Sequence, residues 1–190
     1  MSLSNAKVYG GIGAILQLIG PLVGSTGVIL SIVGLVLVFI AVKMISEETR
    51  DDRIFSLYLK GFISMLVGLV LFIAVVFATV GSAIFRMTGK AMMSPAHMIS
   101  LLIPILAGLV ILWIAYIVGT YFQKKSFELI TQYTGVDMFK TAGLIYFIGA
   151  LLIIVAIGFL VIIIAAILEV VAFFSLPEEI KESEIAPVSP

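Results

Sequence analysis

The chain has no cysteine. Disulfides, thiolate metal ligands and thiol nucleophiles are therefore excluded, and the redox compartment is unreadable. There is one histidine, His97, and no His/Asp/Glu cluster surrounds it in sequence. A lone histidine does not make a metal site. Just behind Pro95, at a helix start, it reads as an interfacial side chain. Charge is scarce: Asp, Glu, Lys and Arg make up 12% of 190 residues, and 11 basic residues balance 11 acidic ones. A net charge of zero carries no footprint of a nucleic-acid partner. No Ser/Lys, Asp/Asp or metal-ligand set falls within the apolar runs, and no cofactor-binding motif is visible. The expectation is a protein that is not an enzyme and holds no cofactor.

What is present is apolar. Hydrophobic residues make up 62% of the chain and the mean hydropathy is +1.29. Soluble domains use roughly 45–50%. The few charges cluster between runs longer than the ~18 residues that mark a transmembrane helix. A chain embedded in lipid must satisfy its backbone internally, and these runs lack the alternation of a lipid-facing barrel. The fold class is all-α, a polytopic transmembrane helical bundle.

The stretch from Gly10 to Val42 carries no charge. As one helix it would be roughly 50 Å long, against a hydrocarbon core of about 30 Å. It is interrupted by Gly20-Pro21-Leu22-Val23-Gly24-Ser25-Thr26-Gly27, where proline, glycine and hydroxyl residues signal a turn. The same cluster leaves no room for a signal-peptide cleavage pattern after Lys7. The organisation read from these signals is a hairpin over 5–46, long helices over 50–85 and 95–133, and a hairpin over 138–175, together one membrane domain spanning 1–176. Thr49 is the expected cap of the third segment, Ser94-Pro95 opens the fourth, and Pro104 should kink it. The second long run centres its break on Gly158. Residues 177–190, acidic and without aromatics, are expected to be disordered.

Two observations favour six membrane segments over five or four. Gly27–Ala41 echoes Gly158–Ala172, and Gly13–Leu16 echoes Gly149–Leu152. With six segments, Lys7, Lys43, Arg50, Arg53, Lys60, Lys124, Lys125, Lys140 and Lys181 share one side, opposite Arg86 and Lys90. Five or four segments divide them less sharply. Basic residues concentrate in cytoplasmic loops, so both termini are expected in the cytoplasm.

Tyr121-Phe-Gln-Lys-Lys-Ser-Phe-Glu-Leu-Ile130 is followed by Thr134-Gly-Val-Asp-Met-Phe-Lys-Thr-Ala-Gly143. With Ala172-Phe-Phe-Ser-Leu-Pro177 and Ser4-Asn-Ala-Lys7, these segments resemble an archaeal family of small integral membrane proteins known only as a domain of unknown function. The resemblance spans nearly the whole chain. It implies a multi-span helical protein of an archaeal cell membrane and brings no activity, ligand or site residue.

Candidate functional residues are few. Glu169 is the one charge inside a long apolar run, and an intramembrane ionisable group is a functional candidate. Its bland alternative is to reach the interface or pair with Lys43. Gly20, Pro21 and Gly24 could break a helix around an ion or simply form a turn. Gln17, Gln123 and Trp113 read as helix contacts. Ser64/Gly68, Ala74/Ala78/Ser82 and Ala115/Gly119 read as close-packing pairs. The expected role is structural or accessory, in contact with the lipid bilayer and with a homo-oligomer or a membrane-protein partner. The alternative is a small transporter or channel component using Glu169 and the Gly20–Gly27 bend.

Overall fold

The computed structural model describes residues 3–86 and 95–178, with side chains described for 3–82 and 98–178. The acidic tail beyond 178, the polar break after Arg86, the Ser94 cap and the His97 side chain lie outside the described residues. Among the described residues there are six α-helices: α1 (Leu3–Ile19), α2 (Gly27–Thr49), α3 (Asp52–Arg86), α4 (Pro95–Thr134), α5 (Asp137–Leu152) and α6 (Ile157–Phe174). Among the described residues, five segments are long and apolar enough to cross a membrane, beginning at Gly24, Asp52, Met98, Asp137 and Ile157. The protein is a multi-pass helical membrane protein. The remaining helix, α1, has 17 residues, roughly 26 Å of rise.

The helices pack in chain order around the bundle, and α6 returns against α1 to close the ring. Small residues set the close approaches. Gly13 and Gly34 face each other's carbonyls across α1 and α2, and Gly61 faces the Gly119 carbonyl across α3 and α4. The α5–α6 approach uses Gly149 and Gly158. Glycine lets backbones meet where lipid supplies no hydrophobic drive for association. α4 continues through Pro104 without interruption.

The second break does not fall at Gly158. A 3-10 turn at Ile153–Val155 ends α5, and Ala156 reverses the chain with φ 61°. Gly158 lies inside α6, where a Cβ would strike the Gly149 carbonyl and the Ile153 backbone. Its glycine character signalled a helix crossing next to the turn, not the turn itself.

The core sits at one end of the bundle, where α1 begins and α6 stops. It contains Leu3, Ala6, Val38, Val42, Ile45, Ile54, Ile130 and Leu176. An aromatic line runs through it: Tyr58 stacks near Phe127, Phe127 meets Phe139 edge-on, and Phe139 meets Phe173 at 5.0 Å. Phe39 brings α2 to α3 through edge contacts with Phe55, Tyr58 and Phe62.

The α2–α3 corner departs from the expected cap. Thr49 ends α2, its hydroxyl donating back to the Ile45 and Ser46 carbonyls. Arg50 takes a left-handed conformation, φ 54°. Asp51 is the residue that opens α3: its Oδ1 accepts the Arg53 backbone N–H at 3.0 Å, and its carboxylate binds the Arg53 guanidinium. Tyr133 donates to Asp51 Oδ2 at 3.0 Å, and Ser126 donates to the Ile54 carbonyl at 2.7 Å. The corner is thereby joined to the end of α4.

This corner titrates. The Arg53 side chain holds the Asp51 carboxyl below its ordinary value, against the opposing pull of burial. A lowered folded-state value means stability that is present above the ordinary carboxylate value and is lost as pH falls through the folded one. The loss therefore belongs below about pH 4. Asp51→Asn keeps a cap but loses the ion pair. With Arg53 facing solvent, the expected cost is about 0.5–1 kcal/mol at neutral pH. Thermal unfolding in detergent micelles should show the variant and wild type converging as pH drops below 4. An equal gap at pH 3 and pH 7 would contradict this account.

Candidate functional site

Burial decides what Glu169 can be. It lies on α6, 5% exposed, and does not reach the interface. Lys43 pairs instead with Glu47 at 3.7 Å, so that alternative for Glu169 is not what the fold adopts. Tyr146, on α5, donates its hydroxyl to Glu169 Oε2 at 2.7 Å. Glu169 Oε1 is buried and has no hydrogen-bond partner. Tyr58 of α3 lies within electrostatic reach of the carboxylate, and Tyr146 within reach of both Tyr58 and Tyr116. On α1, Lys7 donates to the Leu176 carbonyl at 3.3 Å, not to Glu169. No ion pair to Glu169 forms among the described residues.

Magnitudes frame the chemistry. An unpaired buried charge costs several kcal/mol. A neutral acid with one unmade hydrogen bond costs about 1–3 kcal/mol. One tyrosine hydroxyl supports Oε2 in either state, and neither state is fully satisfied at Oε1.

The Gly20–Gly27 bend is a pair of 3-10 turns, Gly20–Leu22 and Gly24–Thr26. Its backbone is served locally: Val23 N–H donates to the Gly20 carbonyl at 3.1 Å, and the Thr26 hydroxyl reaches the Val23 carbonyl at 3.4 Å. Pro21 fits the first turn, where its missing N–H is not needed. Gly24 has φ 68°, which favours glycine. A Cβ on Gly20 would overlap the Ser31 hydroxyl and the Gly27 carbonyl. This geometry is that of a tight turn.

No hydrogen bond joins the bend to Glu169, and Glu169 lines neither of two cavities on the bend's side of the bundle. The outer, about 500 Å³, is lined by Gln17, Gly20, Pro21, Gly24 and Ser31. The inner, about 90 Å³, is lined by Gln17, Phe39, Tyr58, Met65 and Gln123. Gln17 borders both. Tyr58 borders the inner cavity.

Sequence reasoning missed the two tyrosines. Tyr146 is the one side chain with a polar tip between Ala142 and Leu152, and that isolation was its signal. Tyr58 carried none, being one more aromatic in an interfacial segment. Trp113, read as a packing residue, donates to the Ala150 carbonyl at 2.8 Å and secures the end of α5. Among the described residues, no group of three His, Asp or Glu side chains is placed to hold a metal ion.

Comparison with known proteins adds no chemistry. Residues 30–167 match a family described as a protein of unknown function, DUF996. An uncharacterized protein of Methanocaldococcus jannaschii, MJ1644, is 40% identical over 181 residues, covering 95% of this chain and 97% of the relative. No solved structure matches the chain. The matched residues run from within α2 to within α6, the greater part of the ring, and on that ground the chain belongs to the DUF996 family.

Proposed function

We propose that this protein is a structural or accessory component of the cell membrane, without catalytic activity. It has both termini in the cytoplasm and binds lipid and another membrane protein or a second copy of itself. The observation that carries this reading is the distribution of polar groups. The described interior is an apolar and aromatic core, and its hydroxyls mostly return to backbone carbonyls, as at Ser126, Thr120 and Ser46. Lys7, Lys43, Arg50, Arg53, Lys60, Lys124, Lys125 and Lys140 occupy the end where α1 begins, which supports a cytoplasmic assignment for that end. The opposite tip of the α5–α6 hairpin exposes Ile154, Val155, Ile157 and Phe159, side chains suited to hydrocarbon.

Cysteine labelling in sealed vesicles tests the orientation. Gln132→Cys should react only from the cytoplasmic face and Ser25→Cys only from the outer face, while Val155→Cys should resist a water-soluble reagent from both. Labelling of Ser25→Cys from the cytoplasmic face would reverse the assignment.

A second reading rests on a different observation, the buried and unpartnered Glu169 Oε1. It is a small transporter or channel component acting through Glu169 and the Gly20–Gly27 bend. Ion or proton flux in proteoliposomes that disappears in Glu169→Gln is the expected result for this reading. Flux unchanged by that substitution would remove Glu169 from it.

A further inference from the structure

We propose that Glu169 is a proton-binding site, its buried carboxyl taking up and releasing one proton at Oε1 beside the Tyr146 hydroxyl. The inference deepens the transport reading above by naming the bound species, and it rests on that reading only for the consequence of exchange.

The chemistry of the site selects a proton. A monovalent cation stripped of water needs several converging oxygens. Here one carboxylate is available, and Tyr146 already spends its hydroxyl hydrogen on Oε2. A proton needs one oxygen, and Oε1 is the oxygen left over. The titratable and charged groups on the surrounding elements are Tyr146 on α5, Tyr58 on α3, Tyr116 on α4 and Lys7 on α1. Lys7 is engaged with the Leu176 carbonyl. The tyrosines act as neutral hydroxyls that donate and accept without carrying net charge.

Uptake forms an O–H bond between a proton from water and one electron pair of Oε1; release breaks that bond, leaves the pair on the carboxylate and returns the proton to water, so no oxidant, reductant or co-reactant is needed.

Infrared difference spectroscopy of the full chain in nanodiscs tests this. A pH step should change the carbonyl band of a buried protonated carboxyl, shifted in deuterated water. Glu169→Gln should abolish the band, and Tyr146→Phe should move its frequency by removing the donor to Oε2. If Glu169→Gln fails to fold, the Tyr146→Phe frequency shift alone identifies the carboxyl. A carboxylate that never protonates between pH 4 and pH 9, or a band indifferent to Tyr146→Phe, would overturn the site. Absent flux alongside these spectroscopic changes would count against transport alone, because proton binding is read without it.

Discussion

Gly34→Leu is expected to abolish the folded α1–α2 hairpin. At Gly34 a Cβ would stand 2.6 Å from the Gly13 carbonyl oxygen and 2.9 Å from the Gln17 backbone nitrogen. At Gly13 the converse holds, with the Gly34 carbonyl 2.7 Å away. These obstacles are backbone atoms and cannot rotate aside. Overpacking against movable side chains costs about 1–3 kcal/mol. Here the helix axes must separate, so the cost exceeds that range and weighs against a typical total of about 5–15 kcal/mol. The damage spreads, because α1 also delivers Leu3 and Ala6 to the core. Size-exclusion profiles and thermal unfolding in detergent check this. The variant should aggregate or lose its cooperative transition, whereas Val33→Leu, at an exposed neighbouring position, should behave as wild type. A Gly34→Leu protein with the wild-type transition would show that this crossing does not hold the hairpin.

The helical membrane class was readable because the signal is long. Uncharged runs bounded by charges leave few alternatives once the backbone must be satisfied in lipid. The first bend was readable because Gly20, Pro21 and Gly24 each remove helix stability or supply a turn conformation. The second was displaced because its turn is built from Ile153, Ile154, Val155 and Ala156, residues with no turn preference. Tertiary packing imposes the left-handed φ of Ala156, and no local propensity announces it. Thr49 was misread for a related reason. A threonine hydroxyl can cap the next helix or return to the helix it ends, and Asp51 two residues later is the better acceptor.

The site was legible only by its charge. Glu169 stands out in α6, but whether an intramembrane carboxylate faces lipid, a cation or a hydroxyl depends on the helix packed beside it. Tyr146 reaches it because α5 and α6 are antiparallel and side chains lean toward the start of their own helix. That relation needs the hairpin register. The segments that carry the family resemblance became intelligible through packing. Phe127, Ile130, Phe139, Phe173, Leu176 and Ala6 fall in four separate stretches of sequence and in one core.

Phe173→Ala is expected to cost about 3–5 kcal/mol, the range for truncating a buried aromatic. Phe173 is fully buried, meets Phe139 edge-on at 5.0 Å and lies directly over Gly10. It joins α6 to α1, the contact that closes the ring. Gly10→Ala alone should also destabilise, because its Cβ would overlap the Phe173 ring. The two costs should not add. In Phe173→Ala the space over Gly10 is vacated, and the Gly10 methyl then fills volume instead of clashing. A double-mutant cycle by thermal or denaturant unfolding in micelles should give a coupling within about 0.5–3 kcal/mol in favour of the double variant. Strict additivity would mean that this pair does not hold α1 against α6. The same substitution reaches the carboxylate. Phe173 lies one turn beyond Glu169 on the same face of α6, between it and the aqueous end of the bundle. Removing the ring should open an approach for water, so hydrogen–deuterium exchange at the Glu169 carboxyl should become faster.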